Sequence, residues 1–203
     1  MAGVDFEQIF VSFLVLIVSL TVHEAAHAWS ANQLGDPTAR LLGRLSLNPL
    51  VHVDPIGTLL FPLIALMTGL PLIGWAKPVP VDPRNLQSPR RDFAIVAAAG
   101  PISNVLMAAA GAVAFKLGPA DGVVAYGLLL FVLVNLLLAV FNMIPVPPLD
   151  GGNVLMGILP LSAARGVERL RPYGFLIIYA LMLTGILGAI TVPVRTLVLT
   201  WLL

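Results

Sequence analysis

The sequence predicts an all-α polytopic membrane protein of about four to six spans, with a re-entrant or hairpin segment and a short extended strand near its site. Three observations carry this. The 203 residues are 59% hydrophobic and 10% charged, with a mean hydropathy of +0.98, whereas soluble domains are nearer half apolar and a quarter charged. Several apolar runs reach the roughly 20 residues that cross about 30 Å of hydrocarbon. The basic residues fall where a single topology gathers them on one side of the bilayer.

In chain order, residues 8–31 form the first span, with Asp5 as a possible N-cap and Gly35-Asp36-Pro37 as its stop. This run is too long for a signal-peptide core and has no basic stretch before it, so it is expected to stay in the mature protein. Further spans are expected over 94–115, 123–141 and 173–190. Residues 194–203 are too short to cross alone, and either extend the last helix past Pro193 or lie at the interface. Segment 56–74 is apolar enough to span but is interrupted by Pro62, Gly69 and Pro71. Arg40 and Arg44 precede it, and Lys77, Arg84, Arg90 and Arg91 follow. A full crossing would split these six charges, whereas a re-entrant excursion keeps them together with Arg165, Arg169 and Arg171. The positive-inside rule then puts that face in the cytoplasm. We read one integral membrane domain over residues 1–203, with no repeat or soluble module.

Lys77-Pro78-Val79-Pro80-Val81 is expected to be extended, because each proline disfavours helix for its predecessor. One edge of that strand lacks N–H donors, and the other keeps those of Val79 and Val81 for pairing, including pairing with an unwound substrate. The bland alternative is a rigid loop. Gly111, Gly127, Gly185 and Gly188 are expected to let helices pack closely.

A net charge of +1 gives no electrostatic case for nucleic acid, and zero cysteines exclude disulfides and thiolate metal sites. Any metal must be held by nitrogen and oxygen, and only three histidines exist: His23, His27 and His52. His23-Glu24-Ala25-Ala26-His27 places two imidazoles at i and i+4 on one helix face, a spacing that suits one zinc ion. Glu24 lies about 100° around the helix, next to the metal but outside the ligand row, where it can act as general base and acid. Such groups are costly in hydrocarbon, which makes function the default reading.

A catalytic zinc takes three protein ligands and keeps one position open. Asp150, after the prolines of Asn142-Met-Ile-Pro-Val-Pro-Pro-Leu-Asp150-Gly-Gly152, is the best third ligand. It reaches the histidines only if the 8–31 and 123–141 helices run the same way, which again requires no net crossing by 56–74. His52 is read first as lining the site mouth or touching substrate, second as a structural hydrogen bond, and last as a ligand.

His23-Glu24-x-x-His27, Gly100-Pro101-x-x-Asn104 and Asn142…Pro147-x-Leu149-Asp150-Gly151 resemble, in order and context, the site-2 protease family of intramembrane metalloproteases. Asn48-Pro49-x-x-His52-x-Asp54-Pro55-x-Gly57-Thr58 and Gly74-Trp75-Ala76-Lys77-Pro78-Val79-Pro80 resemble its compact branch, without PDZ or CBS domains. The resemblance covers roughly residues 20–155. It implies one Zn2+ on His23, His27 and Asp150, with Glu24 as general acid/base. It also implies Asn142 as a catalytic group that positions substrate or stabilises an oxyanion, and Asn104 in a substrate-contacting or structural role. The partners implied are the lipid bilayer and transmembrane protein substrates, in a prokaryotic plasma membrane with the site towards the cytoplasm; a homo-oligomer is left open. The rival readings are a metal-binding transporter and an inactive homologue that binds membrane segments.

Overall fold

The structure, a computed structural model, describes residues 6–68, 75–118 and 121–202. All regular structure among them is helical. The expected N-cap Asp5, and Gly69, Pro71 and Gly74 of the broken segment, lie outside the described residues.

α1 (Phe6–Gln33) matches the first expected span and buries Ser19, His23, Glu24, His27 and Ser30 among its apolar residues. It ends in a turn at Gly35, followed by the short α2 (Thr38–Leu41). Asp36, fully buried in that turn, ties it to a later stretch of chain. It accepts hydrogen bonds from Thr38, from Asn85 Nδ2 at 2.9 Å and from the Asp82 N–H at 2.7 Å. Burial works against its charge, but these donors win and hold its carboxyl below the ordinary value of 3.8. A depressed carboxyl contributes stability that is complete above the ordinary pKa and lost as pH falls through the folded one. Thermal unfolding in detergent should therefore weaken below pH of about 4. Asp36→Ala should lower stability by about 1–3 kcal/mol at neutral pH and remove part of that acid dependence. An unchanged pH profile of the melting temperature in Asp36→Ala would count against this role.

The segment after α2 is built around a clamp. Asp54 accepts from the N–H groups of Ile56 (3.0 Å) and Gly57 (2.7 Å), starting a π-helical turn over Pro55–Leu60. This leads into α3 (Phe61–Thr68). The chain then returns: the Trp75 N–H donates to the Gly57 carbonyl at 3.1 Å, and Thr58 Oγ1 donates to the Trp75 carbonyl at 2.8 Å. Position 57 must be glycine for this, since a Cβ there would sit 2.5 Å from the Trp75 ring. The two ends of the segment thus meet at one base, as a hairpin's do.

α4 (Pro89–Leu117) and α5 (Gly122–Asn142) are the remaining long apolar helices, and α1, α4 and α5 are each long and apolar enough to cross a membrane. α4 runs against α1, since His27 meets Val96 while His23 meets Asn104. α5 runs with α1, since Ser12 meets Tyr126 and Ser19 meets Asn135. Gly111 lets the Phe131 ring approach α4, and Gly127 does the same for Val11.

α6 (Asp150–Ile158) and α7 (Leu161–Glu168) follow, then α8 (Gly174–Leu183) and α9 (Ile186–Leu202). The span expected over 173–190 is not one unbroken helix. Gly185, at φ +77°, breaks it, and the Leu161–Leu183 and Ile186–Leu202 parts are bent by 67°. Counted as one broken span, the pair is a fourth crossing candidate. Among the described residues, Gly185 and Gly188 meet no neighbour that a Cβ would touch, so the close packing expected of them is not seen there. α9 continues through Pro193 and packs Val198 and Leu202 against Ala108 of α4 and Val132 of α5.

Arg44, Arg90 and Arg171 converge at one end of the bundle, whereas Lys116 closes α4 at the other. Arg44 donates to the Lys77 and Pro78 carbonyls, Arg90 to those of Met156 and Leu159, and Arg171 to Glu168 and Asn153. That is the end at which α1 and α5 finish and α4 begins.

Candidate metal centre

His23 and His27, one turn apart on α1, point their Nε2 atoms at a common place, 3.0 Å from each other. Asp150 closes the group as the first residue of α6: its Oδ2 lies 3.2 Å from His23 Nε2 and 3.5 Å from His27 Nε2. The three ligand atoms all fall within 4.8 Å of one another. Both imidazoles are buried.

The proton positions follow from the partners. His27 Nδ1 faces the Val96 carbonyl at 2.7 Å. A carbonyl only accepts, so Nδ1 carries the hydrogen and the neutral ring presents a lone pair at Nε2. Among the described residues, Asp150 Oδ2 is buried without a hydrogen-bond partner. The His27 lone pair, His23 Nε2 and a carboxylate oxygen therefore converge in a low-dielectric place. A divalent cation resolves that arrangement, and two imidazoles with one carboxylate suit zinc, as in sites that keep a fourth position open.

Two glycine features make this closeness sterically allowed. A Cβ on Gly100 of α4 would overlap His27 Nε2 and the His23 ring. The sequence reading treated Gly100 only as part of a resembling motif. Gly151 and Gly152 are helical, and a Cβ at either would run into the backbone of residues 143–147. Pro145, Pro147 and Pro148 end α5, and the chain folds back so tightly that only glycine fits.

Glu24, 9% exposed, accepts the Val79 N–H on Oε2 at 2.9 Å. Of the two readings of the arm, a pairing edge and a rigid loop, the described contacts favour the loop. The Val79 donor belongs to Glu24, the Lys77 N–H to the His52 carbonyl at 2.9 Å, and Arg44 holds the Lys77 and Pro78 carbonyls. Among the described residues, Lys77, Pro78, Val79, Pro80 and Val81 form an arm without strand pairing, tied to its own chain at Lys77 and Val79. His52 is 2% exposed, and its Nε2–H donates to the Ser46 carbonyl at 2.9 Å. The structure places it at the base of the arm, in the structural hydrogen bond that was the second of its expected readings. Asn104 is fully buried and turned to His23 Nδ1, so the structure places it behind the centre and not on a substrate surface. Asn142, the last residue of α5, donates from Nδ2 to the Leu138 carbonyl at 3.0 Å.

Comparison with known proteins adds to this geometry. Peptidase family M50 matches residues 112–185, which hold α5 and Asp150. A Bacillus subtilis protein named "Putative zinc metalloprotease YwhC" is 35% identical over 185 residues, covering 84% of this chain and 79% of its own. The chain belongs to peptidase family M50, the site-2 protease family. Further relatives named "Putative zinc metalloprotease Rip2" come from Mycolicibacterium smegmatis, at 30% identity, and Mycobacterium tuberculosis, at 29%. Each match covers 85% of this chain and 66% of the relative. No solved structure matches the chain. Membership in M50 and the apolar helices make this an integral membrane protein of a protease family.

Proposed function

We propose that the chain is a zinc-dependent endopeptidase that hydrolyses peptide bonds within or near transmembrane segments of membrane-protein substrates. The observation that carries this is the convergence of His23 Nε2, His27 Nε2 and Asp150 Oδ2 at a buried place between α1, α4 and the start of α6. These three residues would hold the ion, whose chemistry when bound is Lewis-acid activation of a water and a scissile carbonyl.

The other steps belong to the chain. Glu24 takes the proton from the attacking water and returns it to the leaving amine. The Val79 N–H holds one of its oxygens and fixes the side chain for that transfer. Asn142 spends one amide hydrogen on Leu138 and keeps a second for a carbonyl that gains negative charge. Burial keeps bulk water out and strengthens these charge contacts. The gathering of basic residues supports a cytoplasmic setting for this end of the bundle in a prokaryotic plasma membrane.

The test uses purified full-length protein and a single-span substrate. Wild type should carry about one zinc per chain and cleave, chelation should stop cleavage, and added zinc should restore it. His27→Ala should lose both metal and product. Metal transport into vesicles with no cleavage would overturn the reading in favour of a transporter. Tags placed near Arg44 and near Asn85 should report the same side of the membrane, and opposite sides would refute the topology.

A further inference from the structure

Behind His23 lies a chain of buried amides whose orientation is fixed from the far end. Asn135, in the middle of α5 and fully buried, places Nδ2 2.8 Å from the Phe131 carbonyl and 2.9 Å from Ser19 Oγ. The carbonyl can only accept, so the NH2 side of Asn135 must face it. That leaves Asn135 Oδ1 facing Asn104, 2.8 Å from its Nδ2, which must donate. Asn104 Oδ1 is then the atom presented to His23 Nδ1. An amide oxygen requires a donor there, so His23 carries its hydrogen on Nδ1 and its lone pair on Nε2. With either amide turned over, at least one contact would pair two acceptors or two donors inside an apolar bundle, where a polar mismatch is costly.

We propose that Asn135 is a positioning residue of the centre: from α5, through Asn104, it sets which nitrogen of His23 is protonated and so keeps Nε2 ready for a metal ion. This rests on reading His23 as a ligand. It assigns a role to a residue that touches neither metal nor substrate and links three helices to one tautomer. Groups that orient a ligating histidine in this way commonly contribute 10–100-fold to metal affinity.

The experiment compares Asn135→Leu with Asn135→Asp in the full chain. The two share a branched skeleton, Leu being the bulkier, but only Asp keeps an acceptor for Asn104, and in its protonated form a donor for the Phe131 carbonyl. A packing role predicts that Leu, at home in an apolar helix, is the better tolerated. The relay predicts the reverse. Zinc affinity, read by competition with a chelator, should fall about 10-fold or more in Asn135→Leu and be largely kept in Asn135→Asp. Asn104→Leu with Asn135→Leu should bind no more weakly than Asn104→Leu alone, because the effect passes through Asn104. The second readout needs no metal. Imidazole 15N spectra of the histidine-labelled protein in bilayers show three histidines, and the His23 signal is identified by its loss in His23→Gln. Wild type and Asn135→Asp should show Nδ1–H at His23, and Asn135→Leu a mixture with Nε2–H.

An unchanged tautomer and affinity in Asn135→Leu would overturn the proposal, as would Asp weaker than Leu. Should wild type bind no zinc, the ligand reading fails, while the spectra still decide the relay. If Asn135→Leu does not fold, Asn135→Ala takes its place in both measurements.

Discussion

Glu24→Gln should bind zinc as wild type does and lose cleavage by about 10²–10⁴-fold, the usual worth of a positioned general base. Gln is isosteric and keeps an oxygen that can accept the Val79 N–H, so the arm need not move. What disappears is the capacity to take a proton from water and deliver it to the leaving amine. Glu24 is not among the three converging ligand groups, so metal content should be unaffected. The measurement pairs zinc stoichiometry with initial cleavage rates. Loss of zinc in the variant would mean that Glu24 helps hold the ion. Undiminished cleavage would move the acid/base role elsewhere.

Gly100→Ala should be nearly as damaging, although it removes no functional group. The added methyl has no room beside the His23 and His27 rings, and both rings are already fixed at Nδ1 by Asn104 and the Val96 carbonyl. Either α4 moves away from α1 or the imidazoles rotate off their common point. Overpacking of this kind costs about 1–3 kcal/mol of stability. Misdirected ligands should add a 10–100-fold loss of zinc affinity. Thermal unfolding and chelator competition on the same preparation check both parts. Zinc affinity equal to wild type would show that the helices can separate without disturbing the centre.

How far the site could be read from the residues depended on how local the information was. His23 and His27 were legible because i, i+4 spacing on a helix is a local rule. Asp150 was legible from its setting just past the helix-ending prolines, and its reach to the histidines agrees with α1 and α5 running the same way. The break at Gly185 was missed because an apolar run of span length says nothing of a single positive φ. The Lys77–Val81 arm was left between pairing edge and rigid loop because a strand pattern does not reveal that Glu24, His52 and Arg44 will take its polar groups. Asn135 passed unnoticed, though an amide within an otherwise apolar span carries a cost that ought to have marked it. Its partners Ser19 and Asn104 lie on two other helices, and nothing in sequence spacing says that the three faces meet.

The clamp of Asp54, Gly57, Thr58 and Trp75 bears on how freely this chain can vary. It seals the excursion of residues 57–75 at its base, where the Lys77–Val79 arm begins and leads to Glu24. The length of the sealed loop is thereby separated from the position of the acid/base carboxylate. Doubling such a loop costs only about 0.6 kcal/mol in closure entropy. A change of length inside the segment closed by this clamp should therefore leave the placement of Glu24 by the Val79 N–H unaltered.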